Sequence, residues 1–338
     1  MGLPQHVPLA IVERGETPES IHYGSIAVVD VDGNLVASAG DPHAAMFTRS
    51  SLKPFQAVPV LASGASAAFD YGPPEIALMC ASHSGEPRHV ELAASMLERI
   101  GCGAGDLQCG THVPYFYQWT ERTPEPGATF TTLHHNCSGK HSGMLTWCRH
   151  CGQLIDRYLD PAHPLQVAIR ASVAHFTATP ETALRRGTDG CSAPNYALPL
   201  TGLARGFAQL ARRNDDERYG DAPQRIFDAM SAHPGLVSGE RRNDLALMQA
   251  GGGDWATKVG ADGVQGIAVR SRGLGIAIKI ADGNPRGLFP VTVAVLTQLG
   301  LIEKPEATPL APYVEPVQRN LRGLVTGRVR TIVELARH

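Results

Sequence analysis

His22-Tyr23-Gly24-Ser25-Ile26-Ala27-Val28-Val29-Asp30-Val31-Asp32-Gly33-Asn34-Leu35-Val36-Ala37-Ser38-Ala39-Gly40 is the stretch on which the fold turns. Residues 22 to 31 and 34 to 40 alternate or are β-branched, as strands with one buried face require. Asp32-Gly33 between them is a tight-turn signal, because glycine takes positive φ without strain. Residues 7 to 14 read the same way, so an antiparallel meander opens the chain. Near the other end Gly263 to Val269 and Gly273 to Ile280 read as a second hairpin, and Gly323 to Leu335 as a last strand. Strands at both ends with helices between predict an α+β fold: an antiparallel sheet built from N- and C-terminal segments, flanking helices and a helical insertion.

Helical periodicity covers roughly residues 52 to 62, 74 to 82, 87 to 100, 139 to 150, 164 to 178, 195 to 213, 221 to 231 and 288 to 300, with Pro or Gly in most gaps. The organisation expected is one unit over 1–338, with an α/β part from about 1–60 and 255–338 and a mainly helical part from about 61–254. Pro305 to Pro316 is the one linker-like stretch, and no repeat or long charge run interrupts the pattern.

Composition narrows the partners. A formal charge of −2 over 338 residues gives no basic field for nucleic acid or an anionic membrane, so a small-molecule partner is expected. The N-terminus shows no charged-then-apolar secretory pattern and no run of about 18 apolar residues occurs, so a cytoplasmic location is expected. Seven cysteines then read as thiols or metal ligands before disulfides. Of 30 basic residues only Lys53, Lys140, Lys258, Lys279 and Lys304 are lysine. Arginine keeps its proton in a protein and lysine can be tuned to lose it, so each retained lysine is a candidate for work that needs a neutral amine.

Three constellations carry chemistry. In Arg49-Ser50-Ser51-Leu52-Lys53-Pro54 a serine and a lysine stand three apart at a helix start, within reach of one another. A desolvated lysine can take the proton of a serine hydroxyl and make it a nucleophile, and Ser-x-x-Lys is a motif of β-lactamases and penicillin-binding proteins. Taken alone, the same four residues also describe an N-cap serine followed by a solvated lysine. Cys80-Ala81-Ser82-His83-Ser84-Gly85-Glu86 offers a second hydroxyl and backbone N–H donors for an oxyanion, and Asp254-Trp255-Ala256-Thr257-Lys258-Val259-Gly260 puts a second lysine before a turn. His134-His135-Asn136-Cys137-Ser138-Gly139-Lys140-His141 and Gly187-Thr188-Asp189-Gly190-Cys191-Ser192 are two glycine-flanked loops with zinc-type donors. Ligand chemistry alone selects Cys137, Cys191 and one histidine, with Asp189 orienting a ligand. Cys148-Arg149-His150-Cys151 matches Cys-x-x-Cys at a helix end without a βαβ setting and reads as structural.

Together these segments resemble the Rhizobium etli-type (class 3) asparaginases over almost the whole chain. The resemblance rests on Ser50-Ser51-Leu52-Lys53-Pro54-Phe55-Gln56, Ser82-His83-Ser84-Gly85-Glu86, His135-Asn136-Cys137-Ser138-Gly139-Lys140-His141, Thr188-Asp189-Gly190-Cys191-Ser192-Ala193-Pro194 and Lys258-Val259-Gly260-Ala261-Asp262-Gly263. It implies a fold similar to serine-dependent glutaminases and serine β-lactamases, and two serine–lysine pairs, Ser50 with Lys53 and Ser82 with Lys258. It also implies zinc on Cys137, Lys140 and Cys191 with water completing the shell, His141 being the alternative to Lys140, and a homodimer. Asp262 stands where the family's pattern has Glu.

The expected reaction is hydrolysis of L-asparagine to L-aspartate and ammonia by acyl transfer. Ser50 is expected to attack with Lys53 as its base, Ser82 and Lys258 to relay the proton, Arg49 to clamp the α-carboxylate and Asp189 to meet the α-ammonium. A glutaminase or β-lactamase-like serine amidohydrolase is the nearest alternative, and a non-catalytic zinc-dependent binding protein is the alternative from another class.

Overall fold

The computed structural model describes residues 3 to 338. Its strands are β1 (Val7–Arg14), β2 (Thr17–Asp30), β3 (Leu35–Ala39), β4 (Ala45–Phe47), β5 (Arg185–Thr188), β6 (Pro194–Pro199), β7 (Trp255–Gly260), β8 (Val264–Val269), β9 (Leu274–Ile280), β10 (Val317–Arg319), β11 (Val325–Thr331) and β12 (Ala336–Arg337). One antiparallel sheet runs β10-β11-β1-β2-β9-β8-β7, and β3 and β12 extend it from β2. β2 is the hinge of this arrangement. Its first half pairs with β1 (Ile11 opposite Ile21), its second half with β3 (Ile26 opposite Ala39), and its other edge with β9 (Ile26 opposite Ile278). The sheet is therefore assembled from the two ends of the chain, as the N-terminal meander and the C-terminal hairpin predict.

Side chains alternate across a strand, so each face of this sheet buries its own set. Ala27 and Val29 of β2, Ala256 of β7 and Ala277 of β9 enter a core shared with the central helices, and Ile26, Val28, Ile276 and Ile278 enter a second core beneath the helix Pro285–Gln298. Fully burying an aliphatic side chain contributes about 1.5–3 kcal/mol, so both layers hold the sheet in place. Against the first face lies the helix Leu200–Ala211. It sits unusually close because β8 and β9 present glycines to it: a Cβ on Gly275 would stand 1.9 Å from the Ala204 carbonyl oxygen, and one on Gly266 would meet the Phe207 ring.

Most expected helices form near their predicted bounds, among them Lys53–Ala62, Pro87–Arg99, Ser138–His150, Pro164–Thr177 and Ala222–Ala232. The single helix expected over 195 to 213 does not form as such. Its first part is β6, which with β4 and β5 makes a separate three-stranded sheet, and the helix begins only at Leu200. Pro199 explains the break, since the residue before a proline is driven to extended backbone and proline suits a helix start. Trp255–Gly260 is a strand where only a pre-turn segment was expected; it pairs with β8, Lys258 opposite Gly266. The helix expected to reach residue 82 stops at Met79. Pro305 to Pro316 is no free linker: it holds two short helical turns, and Leu310 is fully buried. Among the described residues no helix is long and apolar enough to cross a membrane.

Candidate active site

Ser50 lies on the 3-10 turn Arg49–Leu52, which feeds directly into the helix Lys53–Ala62 with Pro54 in its first turn. Arg49 takes a left-handed backbone (φ 51°), uncommon for a residue with a side chain. Asn195 at the start of β6 holds it there: the Arg49 N–H donates to Asn195 Oδ1 (3.0 Å), and Asn195 Nδ2 donates to the Arg49 carbonyl (3.0 Å). The residue before the serine is thus fixed by a side chain more than a hundred positions away.

Ser50 and Ser82 line one cavity of about 310 Å³, whose walls include Tyr115, Trp119, Asn136, Arg242, Gly260 and Phe289. The two hydroxyls differ. Ser50 Oγ has no hydrogen-bond partner among the described residues, whereas Ser82 Oγ, almost fully buried, accepts a hydrogen bond from Lys53 Nζ at 2.9 Å. Lys53 itself is buried and donates also to the carbonyl oxygens of Ala81 and, at 3.5 Å, Asn136. Lys53 therefore meets Ser82 and not the Ser50 expected from helix spacing.

Lys258 is fully buried on β7, on the same sheet face as Ala256. Its Nζ donates to the Val259 carbonyl (2.7 Å) and stands 3.6 Å from Asp244 Oδ2, and no hydrogen bond joins it to Ser82. Burial pulls its amine down to about 7, the Asp244 carboxylate resists, and the charge of Lys53 adds to the fall. Asp244 is itself pinned by Thr257 Oγ1, the Val259 N–H and Gln265 Nε2 at 2.8 to 3.0 Å. His83, next to Ser82, is buried, stacks on His89 and donates through Nε2 to Ser138 Oγ (2.9 Å), since its Nδ1 accepts from the Gly85 N–H. Burial, with His89 beside it, holds this imidazole well below its usual basicity.

The cysteine loops also converge. Cys137 caps the start of Ser138–His150, Lys140 lies one turn in, and Lys140 Nζ is 2.9 Å from Cys191 Sγ in the loop between β5 and β6. The two thiols act on each other, raising Cys137 and lowering Cys191, and Lys140 and His141 further favour the Cys191 thiolate. Burial depresses the Lys140 ammonium, but the sulfurs of Cys191 and Cys137 and the Asp189 carboxylate outweigh it and raise it. His141 donates or accepts through Nδ1 with the Tyr158 hydroxyl (2.6 Å); burial holds it down to about 4, and its Nε2, though beside Cys191, makes no hydrogen bond. Among the described residues no three His, Cys, Asp or Glu side chains are placed to hold a metal ion, so the thiol pair reaches a third donor only by counting an amine.

Arg49 and Asp189 meet each other, Nε to Oδ1 at 2.8 Å, and Arg49 also pairs with Asp262 at the β7–β8 turn. Arg49 borders a separate cavity of about 490 Å³ with His6, Phe47 and Lys279. Asn195, Arg242 and Asp244 were not among the expected site residues. Arg241-Arg242-Asn243-Asp244 before an apolar run looks like a solvated charge cluster in sequence, and only the fold shows Arg242 and Asp244 to be buried.

An α+β sheet protein with a buried lysine hydrogen-bonded to a cavity-lining serine is the class that fold and site define. The profile of the L-asparaginase II family matches residues 10–331. The chain belongs to the L-asparaginase II family. No curated protein matches it. Among solved structures it is similar to Mglu in its native form (15% identity, 82% of this chain and 65% of that one, TM-score 0.39) and to Mglu in its glutamate form (16%, 82% and 61%, TM-score 0.40). It is also similar to a β-lactamase (Mb2281c) from Mycobacterium bovis (12%, 81% and 94%, TM-score 0.33). The chain spans about three fifths of the length of Mglu in its glutamate form.

Proposed function

We propose that this chain hydrolyses L-asparagine to L-aspartate and ammonia in the Ser50–Ser82 cavity. The observation that carries the reading is the 2.9 Å contact between Lys53 Nζ and Ser82 Oγ at the cavity wall. In this reading Ser82 Oγ attacks the amide carbon and Lys53 takes its proton; the proton passes to the departing nitrogen, ammonia leaves, and water cleaves the β-aspartyl ester. The Ala81 and Asn136 carbonyls hold Lys53 Nζ against the Ser82 hydroxyl, so the geometry places an amine where a base would act. Lys258, buried beneath the site with an amine brought down to about 7, supplies a second group that changes charge in the working range.

One observation favours a second reading. Ser50 Oγ is the less buried of the two hydroxyls and is partnerless, so it is free to attack with Ser82 passing its proton to Lys53. Mass spectrometry of the protein quenched during turnover separates the two: a β-aspartyl adduct on Ser82 supports the first, and one on Ser50 exchanges the roles. Ser82→Ala is expected to lower kcat by at least about a thousandfold, the range seen when a nucleophile is removed. Ammonia release at the unaltered rate would sink the serine–lysine mechanism in either form.

The donor set fits zinc. Cys137, Lys140 and Cys191 would hold it, Lys140 giving up a proton to bind the metal, and His141 Nε2, buried beside Cys191 without a hydrogen bond, is a further nitrogen donor at the same place. Bound there, zinc would supply a Lewis acid to anchor or polarise the substrate. Asp189, the carboxylate expected to meet the α-ammonium, is held by Arg49 and does not line the Ser50–Ser82 cavity. One methylene changes discrimination by only about 1–3 kcal/mol, so L-glutamine is expected as a slower substrate, read by parallel ammonia assays. A homodimer in the cytoplasm is the proposed setting, with light scattering as the check on assembly.

A further inference from the structure

Arg242 is a cation for which the fold provides no anion. It is 8% exposed, and one of its donors, NH1, bonds the carbonyl oxygen of Ser82 at 2.7 Å. Its Nε is buried and makes no hydrogen bond, and it forms no ion pair among the described residues. Of the carboxylates nearest in influence, Asp244 is taken up by Thr257, Val259 and Gln265, and Glu86 by Arg88 and the Glu240 N–H. The rings of Trp119 and Tyr115 flank the guanidinium at 5.6 and 5.9 Å, which fixes its place without neutralising it. A guanidinium keeps its charge in a protein, and a buried, unpaired charge is among the most costly things a fold can hold. Such a group is worth retaining where a ligand brings the missing anion.

Arg242 lines the cavity that holds Ser50 and Ser82 and also a second one beside Gln249 and Tyr313; its bond to the Ser82 carbonyl and the flanking Tyr115 and Trp119 rings belong to the first. Arg49, the arginine expected to clamp the substrate, already has Asp189 and Asp262 on it and borders a different cavity. We propose that Arg242, and not Arg49, binds the α-carboxylate of the substrate, making this cavity selective for short ω-amides that carry a free carboxylate. The inference rests on the asparaginase reading for the identity of the amide. Because Arg242 bonds the main-chain oxygen of Ser82 itself, the anion site and the reactive hydroxyl are neighbours. A molecule bridging them has to be short, as asparagine is, with two carbons between its carboxylate carbon and its amide carbon.

The test compares L-asparagine with β-alaninamide, the same amide without the carboxylate. In the unaltered protein kcat/KM favours L-asparagine; Arg242→Gln is expected to lower it for L-asparagine by about 10- to 100-fold, the worth of a charge-assisted pair, and to leave β-alaninamide within about threefold. Equal losses on both amides, as a merely structural arginine would give, overturn the proposal, and so does a preference that collapses in Arg49→Gln but survives in Arg242→Gln. Arg242→Lys, which keeps the charge without the fork, covers the case where glutamine does not fold there; its preference is expected to fall part way, and an unchanged one overturns the proposal. Thermal shift by L-aspartate reads the anion site without turnover. A shift present in the unaltered protein and lost in Arg242→Gln supports Arg242 even if neither amide is hydrolysed, which would defeat the asparaginase reading alone; a shift that persists in the variant, or is missing in the unaltered protein, overturns it.

Discussion

The Nζ of Lys258 has one carbonyl at 2.7 Å, one carboxylate at 3.6 Å and no access to water, which is why burial drives its amine down to about 7. An unfolded lysine titrates near ~10.4, so between about pH 7 and 10 the unfolded chain binds more protons than the folded one at this position. Stability therefore rises with pH across that window, and below it the folded protein carries a buried charge. Lys258→Met is expected to flatten this rise, which is of the order of a few kcal/mol, in urea unfolding at pH 7 and pH 9.5. A variant with the original slope would show that Lys258 keeps its proton. The scarcity of lysine made this residue legible: Lys53, Lys140 and Lys258 are all buried, whereas Lys304 is exposed and Lys279 only partly covered. The partner of Lys53 was not legible. Helix spacing says which side chains can meet, but a buried amine goes where acceptors are, and those of Ala81 and Asn136 lie 28 and 83 positions along the chain.

At the scale of elements, patterns that depend on neighbours in sequence were readable and those that depend on neighbours in space were not. β2 and β3, with Asp32-Gly33 between them, follow from alternation and turn chemistry, and the β8–β9 hairpin from the same signals. β6 carries a run of apolar residues that suits a buried strand or a helix equally, and pairing with β4 and β5 decides between them. The glycines of β8 and β9 give a measure of how tightly space constrains an element. At Gly275 a methyl group would stand 1.9 Å from the Ala204 oxygen and 2.3 Å from the Ala208 nitrogen, both backbone atoms of a helix that cannot yield locally. Gly275→Ala is expected to lift the helix Leu200–Ala211 from the sheet and destabilise the protein by about 1–3 kcal/mol or more, as overpacking does, read as a lower thermal midpoint. An unchanged midpoint would mean that the helix does not press on β9. A lifted helix also frees Phe207, which packs edge-on against Phe55 on the helix that begins with Lys53, so a loss of rate is expected alongside.

Across the whole molecule, the proposed zinc site joins segments that the fold otherwise connects loosely. Cys137 and Lys140 belong to the helix Ser138–His150, and Cys191 belongs to a loop of the small sheet 51 positions beyond Lys140. That loop runs on through Pro194 to Asn195, whose side chain clamps Arg49 beside Ser50. A metal held by the three ligands would close this circuit, tying the serine turn, the small sheet and the helix that follows Asn136 into one rigid frame around the cavity. Anything bound only by the folded chain stabilises it in proportion to RT ln(1 + [L]/Kd), and for a chain of this size 1 kcal/mol moves the midpoint by about 2–4 °C. The purified protein is thus expected to contain about one zinc per chain by elemental analysis, and a strong chelator to lower its thermal midpoint by several degrees together with its rate, both being restored by added zinc. Lys140→Ala is expected to bind zinc at least tenfold more weakly, since a third ligand is lost, while His141→Ala is expected to retain the metal. Full zinc occupancy in Lys140→Ala with loss in His141→Ala would hand the third position to the histidine, and an unchanged midpoint and rate after complete removal of metal would leave the frame held by the Lys140–Cys191 contact alone.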